Sequence, residues 1–155
     1  MPASAIDKDS FPPRVASLLP IVLLIHQAEE WFGGFPEWTR SAIGNGVEPE
    51  RFVFINAVGL VLFTVWTLAA FRERRVAWIV ASLATLLGLN GVLHAVASIL
   101  LRRYSPGTVT GLLVSLPFCV VVLRASVASL PRMQVVGAIV AGVLFHGVVT
   151  FLALA

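Results

Sequence analysis

Apolar residues dominate five long stretches of this chain, and most charged residues fall in the segments outside them. The stretches run from Arg14 to Phe32, Phe52 to Phe71, Val76 to Leu101, Gly107 to Leu123 and Met133 to Ala155. Pro20 interrupts the first and Pro117 the fourth. Each is close to the ~20 residues that a helix needs to cross the hydrocarbon core of a bilayer. A spanning segment must satisfy its own backbone, so only helices and closed barrels qualify. These runs are continuous, without the alternation of barrel strands. The predicted fold is therefore all-α, an integral membrane bundle of five transmembrane helices over residues 14–155. Residues 1–13 are predicted to form a polar surface tail. Lys8 and Arg14 precede the first apolar run as in a signal peptide, but no small-residue cleavage pattern lies cleanly beyond it. The first helix is expected to stay uncleaved.

Composition agrees. Of 155 residues, 58% are hydrophobic and 12% charged, about half the charged share of a soluble domain. Net charge is +3, yet the basic residues sit in loops and form no basic helix face, so a nucleic-acid partner is not expected. Cys119 is the single cysteine. It excludes an intrachain disulfide and reads as a small apolar filler.

The connections are short except for Gly33 to Arg51, which carries Gly33, Gly34, Pro36, Gly44, Gly46 and Pro49 beside Trp31, Phe32, Phe35 and Trp38. Aromatics favour the membrane interface. This loop reads either as an interfacial anchor or as a lid over what the first helix presents. Basic residues set the orientation. Lys8, Arg14, Arg72, Arg74, Arg75, Arg124 and Arg132 share one side, against Arg40, Arg51, Arg102 and Arg103 on the other. The expectation is a multi-pass plasma-membrane protein with its N-terminus in the cytoplasm and its C-terminus outside.

The chemistry is concentrated at one depth. His26-Gln27-Ala28-Glu29-Glu30 closes the first apolar run. Positions three and four apart share a helix face, so His26 looks the same way as both carboxylates. Asn56 lies in the first turns of the second run, Thr110 near the start of the fourth and His146 in the fifth. Asn90 and His94, four apart in the third run, lie roughly 18 and 12 Å short of Arg102 at 1.5 Å per residue. Tracing each helix across the membrane brings all of these to the same half, whichever way the protein is inserted. Intramembrane carboxylates cost about 2.5–3.5 kcal/mol each and normally face a partner inside the bundle.

Imidazole with carboxylate suits zinc, iron or manganese, and three protein ligands plus a water is the catalytic zinc arrangement. The expected ligands are His26, His94 and His146. Glu29 and Glu30 are the expected catalytic pair, one a further ligand and the other a general base. Asn56, Asn90, Tyr104 and Thr110 are expected to contact substrate or support the ligands. A di-iron carboxylate site would need about four carboxylates and Glu-x-x-His motifs, whereas this chain has two carboxylates in the reversed order. The competing interpretation of each group is plainer. Membrane histidines and asparagines often only join helices, with bonds of about 0.6–2 kcal/mol, and Glu29 and Glu30 are near enough to the interface for solvation.

The motif His26-x-x-Glu29-Glu30 resembles that of the HXXEE family of small bacterial membrane proteins. Asn90-x-x-x-His94, Tyr104-x-Pro106-Gly107-x-x-Thr110 and His146 look like the later blocks of that family. The resemblance implies an integral membrane protein of unassigned activity. A weaker likeness is to intramembrane CAAX-type proteases, whose Glu-Glu pair is followed four residues on by an arginine. Here that position is Gly34.

Three functions follow as expectations. The first is a metal-dependent membrane enzyme, hydrolase- or hydratase-like, acting on a lipid-soluble substrate. The second is a non-enzymatic subunit with a polar packing cluster. The third is a proton- or metal-coupled transporter, for which no internal repeat and no through-path of polar residues is evident. Membrane lipid is the expected partner. Gly137, Ala141 and Gly142 form a small-residue strip that fits close packing within the bundle or in a homo-oligomer.

Overall fold

The structure, a computed structural model, describes residues 11–155. Most of the predicted tail, Lys8 included, lies outside the described residues. Its end does not behave as a tail: Phe11 is buried in the same core cluster as Leu19 and Phe63. A phenylalanine gains more from burial than a polar surface segment would allow.

Every element among the described residues is helical. A 3-10 turn, Arg14–Leu18, leads into α1, Leu19–Phe32. Pro20 starts α1 instead of breaking it, because a proline in the first turn forfeits no intrahelical bond. A short helix α2, Phe35–Ile43, follows between Gly34 and Gly44. The long helices α3, Pro49–Arg72, and α4, Trp78–Leu100, are joined by the 3-10 turn Arg74–Val76. The fourth span begins as the turn α5, Thr108–Thr110, passes through a π-helical turn, Gly111–Ser115, and continues as α6, Leu116–Ser129. The last helix is α7, Arg132–Leu154. Five spans are long and apolar enough to cross a membrane: 14–32, 49–72, 74–100, 108–129 and 132–154. The chain is a multi-pass membrane protein of all-α class.

Two boundaries differ from the sequence reading. The long loop after α1 contains a helix, because Pro36 opens it in the first turn and Pro36, Trp38 and Thr39 give it a buried side. The fourth span runs past Leu123 through Arg124 to Ser129. Arginine has a long stem that reaches water from the edge of a bilayer, and Ser126 is buried with its hydroxyl bonded to Val122 O, 2.8 Å.

Pro117 leaves its mark just upstream. It offers no N–H to the preceding turn, and the backbone there widens. Leu116 N–H bonds to Gly111 O, five residues back. Such π turns are local and often lie at functional sites.

Helix α4 is central and packs against α3, the fourth span and α7. The core is built from Leu19 and Val22 of α1, Val80, Ala84 and Leu87 of α4, and Cys119 and Val122 of α6. Cys119 fills a tight gap, as read from the sequence: a Cβ on Gly88 would lie 3.2 Å from its Cβ. Gly142 packs inside the bundle, where an added Cβ would fall 2.5 Å from Ser82 O. Gly137 opens onto free space. The small residues thus serve contact with α4 at one point and do not form one continuous packed strip. The outer face carries Phe54, Leu113, Leu144, Phe145 and Phe151, all exposed. Apolar surface of that extent belongs against lipid.

Candidate functional site

Five spans bring their polar residues to one end of the bundle, as the sequence pattern requires. Gly107 makes the approach possible there. Its φ of +103° is accessible to glycine, and a Cβ would fall 2.9 Å from His94 Nε2. The turn Tyr104 to Gly107 can therefore fold over the imidazole.

Asn90 is the hub. Its Nδ2 donates to His26 Nε2 at 2.8 Å, and its Oδ1 accepts from His146 Nε2 at 3.1 Å. This orientation assigns the remaining protons. His26 Nδ1–H donates to Thr110 Oγ1, 3.0 Å, and Thr150 Oγ1 donates to His146 Nδ1, 3.3 Å. His94 Nε2–H donates to Glu30 Oε1, 2.9 Å, and His94 Nδ1 accepts from Ser105 Oγ, 3.0 Å. His26, His94 and Glu30 are all buried.

His26, Glu30 and His94 can bring one ligand atom each within 4.8 Å of one another. Glu30 Oε1 lies 2.9 Å from His94 Nε2 and 3.7 Å from His26 Nε2. Ligands bonded at 2.0–2.1 Å to a tetrahedral ion stand about 3.4 Å apart. A divalent ion therefore fits after small shifts, provided that Asn90 Nδ2 gives way at His26 Nε2 and that the His94 proton moves to Nδ1, from which it would donate to Ser105 Oγ. Both imidazoles present Nε2 to this point while a hydroxyl holds Nδ1. Supporting bonds of this kind orient metal-binding histidines.

His146 does not join that trio. It stands behind Asn90, against the expectation that it would be the third nitrogen ligand. The two carboxylates also part. Glu29 Oε1 accepts from Gly107 N, 3.1 Å, and Val109 N, 2.9 Å, and Oε2 accepts from Thr110 N, 2.5 Å. Tyr104 Oη donates to Glu29 Oε1 as well. Glu29 caps the start of the fourth span from another helix, where unpaired N–H groups and the helix dipole favour an anion. Tyr104 is thereby tied to Glu29. Asn56 lines the cavity described below, with Nδ2 donating to Phe52 O, 2.9 Å.

The motif His26-x-x-Glu29-Glu30 thus spends each of its three named residues on a different task in one site. Residues 17–122 match the model of a family described as protein of unknown function with HXXEE motif. The chain belongs to the HXXEE family. Neither the curated proteins nor the solved structures contain a match.

The HXXEE residues adjoin a cavity of about 280 Å³. Its polar wall includes His26, Gln27, Glu30, Asn56, Asn90 and His146. Its apolar wall includes Leu23, Phe52, Phe63 and, from α2, Phe35, Trp38 and Ile43. Helix α2 therefore covers the cavity as a lid. Phe35 reaches inward far enough for its ring centroid to lie 5.2 Å from that of His94.

Sequence reasoning missed the residues that hold the histidines and the motif in place. Ser105 and Ser98 are the main ones, with Ser98 Oγ accepting from Ser105 N, 2.9 Å, and donating to His94 O, 2.9 Å. Gln27, inside the motif, donates to Asn56 O, 3.0 Å. The spacings His94 to Ser98 and His146 to Thr150, each four residues, were signals within reach.

Tyr104 allows a direct check of the Glu29 contact. Partial burial, then its hydrogen bond to the Glu29 carboxylate and the charge of that group, push its pKa up to about 12. It is the single tyrosine of the chain, so phenolate absorbance near 295 nm reports it alone. The expected midpoint is near 12 in the native protein, moving toward the ordinary value of about 10 in Glu29→Gln. A folded phenol binds its proton more tightly than an unfolded one, so its stabilising share is full below pH ~10 and is lost as pH rises toward 12. A native midpoint near 10 would show that the contact does not hold in solution.

Proposed function

We propose that this HXXEE protein is a metal-dependent membrane enzyme that adds water to a lipid-soluble substrate, by hydrolysis or hydration. One observation carries the reading: His26 and His94 direct Nε2 toward Glu30 Oε1, with Nδ1 of each held by a hydroxyl, and of these three His26 and Glu30 line a largely apolar cavity. The proposed ion is zinc, iron or manganese, bound by His26, His94 and Glu30 with a water in the open position. When bound, such an ion would supply an acidified water as nucleophile; zinc brings the pKa of its water to about 7. Glu30 Oε2, which has no hydrogen-bond partner among the described residues, would hold the proton of that water and return it to the product. Glu29 is a positioning residue in this scheme. Thr110 steadies His26 through Nδ1.

Protein purified in mild detergent is expected to retain about one such ion per chain by elemental analysis. His94→Ala and Glu30→Gln should lose it and melt at lower temperature, because metal binding stabilises the folded state. Glu29→Gln should keep it. Metal-free protein whose stability no added divalent ion changes would overturn the reading.

One observation favours a packing subunit instead. Each imidazole nitrogen of the three histidines already has a protein partner, so the cluster is satisfied without an ion. The cavity beside it is what a packing role leaves unexplained. The transporter reading gains less support. Toward the other end of the bundle the buried polar residues are Thr67, Ser82, Ser115 and Ser126, with no histidine or carboxylate among the described ones.

In this proposal the site occupies the outer half of the plasma membrane, with the N-terminus cytoplasmic. A reporter fused after Ala155 is expected to be active only outside the cytoplasm. Cytoplasmic activity there would invert the orientation.

A further inference from the structure

One donor in the cavity wall has no acceptor. Trp38 of α2 lines the cavity and is 7% exposed. Its indole Nε1–H is buried and makes no hydrogen bond among the described residues. Neighbouring polar groups are spoken for. Thr39 Oγ1 accepts from Val47 N, 3.0 Å, and donates to Pro36 O, 2.7 Å; Ser41 Oγ donates to Trp38 O, 3.1 Å. Two other buried hydroxyls, Thr67 Oγ1 and Ser115 Oγ, also lack partners, but neither residue lines the cavity. A buried donor left unmatched costs about 1–3 kcal/mol, and buried indoles normally find a partner. The orphan therefore points to an acceptor that arrives with a ligand.

The surroundings define that ligand. Phe35 stacks on Trp38 with ring centroids 5.8 Å apart, and Ile43, Val47 and Phe52 complete an apolar wall. Among the described residues, no lysine or arginine lines the cavity, and the one carboxylate that does is Glu30. A single indole N–H cannot offset the desolvation of an anionic head group. An ammonium head group would suit Glu30 but carries no lone pair for Trp38. We propose that the cavity binds an uncharged, lipid-soluble molecule bearing an acceptor oxygen of carbonyl or ether type, and that Trp38 Nε1–H selects it. This rests on the cavity being the substrate site of the proposed enzyme, and it narrows the substrate to a neutral oxygenated apolar compound.

The test uses the full chain in lipid nanodiscs with four probes of matched length: 2-decanone, n-decane, decanoate and decylamine. Binding is followed by the rise of the thermal midpoint with probe concentration. Trp38→Phe, compared with wild type in the same nanodiscs, is expected to keep n-decane binding and to weaken 2-decanone binding about fivefold, the loss of one neutral hydrogen bond of about 1 kcal/mol. The Trp38 indole N–H resonance, assigned by its absence from Trp38→Phe, should shift on adding 2-decanone to wild type and stay fixed with n-decane. An indole resonance unmoved by 2-decanone, or tighter binding of decanoate or decylamine, overturns the proposal, and the resonance decides the matter even if the variant fails to fold. Metal content of the same samples separates the two readings. Ketone selectivity in metal-free protein removes the hydrolase and keeps the ligand class; metal-loaded protein with an unresponsive Trp38 does the reverse.

Discussion

Glu29→Ala is expected to be the most destabilising single change in the HXXEE motif, although Glu29 is the less buried of its two carboxylates. Its two oxygens satisfy the amides of Gly107, Val109 and Thr110 and the hydroxyl of Tyr104. Hydrogen bonds to a charged group contribute about 1.5–3 kcal/mol each, and partly buried donors left behind pay their own desolvation. Tyr104 is half-exposed and recovers water, so its loss counts least. The three amides open the fourth span and have no other carboxylate at hand. The expected cost is about 3–5 kcal/mol, a drop of roughly 10 °C in Tm at this chain length. Glu29→Gln keeps one acceptor oxygen and should recover about half of the loss. A Tm within 2 °C or so of wild type for Glu29→Ala would show that water replaces the carboxylate and that the cap has no structural weight.

The division of labour between Glu29 and Glu30 explains what could be read from the chain and what could not. Helix periodicity placed His26 beside both carboxylates, and counting along each span placed Asn90, His94, Thr110 and His146 at the same depth. Those statements need only 1.5 Å per residue and a known direction of travel. Which carboxylate faces the cavity depends on how the first span is rotated against the fourth. The turn at Gly107 and the π turn at Gly111–Ser115 set that rotation, and neither has a periodic signature. His146 was misjudged for a related reason. Depth is legible from sequence, but the azimuth of α7 around α4 is fixed by close contact at Gly142, and that contact leaves Asn90 between His146 and the trio. The lid was half legible. Aromatics between glycines marked an interfacial segment, and Pro36 with the apolar side of α2 turned it into a cavity roof.

The close contact between α4 and the fourth span can be tested directly. A Cβ on Gly91 of α4 would lie 2.8 Å from Gly111 Cα and 2.8 Å from Gly111 O, and a Cβ on Gly111 would meet Gly91 Cα at 2.7 Å. Backbone is in contact with backbone here, so no side chain can move aside. Gly91→Leu must push α4 away from the fourth span. Overpacking of a close-packed site costs about 1–3 kcal/mol or more, and the upper end applies because both neighbours are main chain. The displacement reaches the site at once. Gly91 adjoins Asn90 and Gly111 adjoins Thr110, the two residues that grip His26 from either side at 2.8 and 3.0 Å. A shift of 1 Å breaks one or both bonds. Of the two, the Thr110 bond holds His26 Nδ1 and so orients Nε2, and loss of such a supporting bond lowers metal affinity about 10- to 100-fold. Gly91→Leu is therefore expected to lower Tm by about 8 °C at ~3 kcal/mol and to weaken the metal binding proposed for His26, His94 and Glu30, whereas Gly137→Leu on the open side of α7, where nothing lies within 4 Å, should change neither. Should Gly91→Leu melt and bind metal like the native protein, the α4 crossing would be looser than this geometry requires, and the positions of Asn90 and Thr110 around His26 would need another cause.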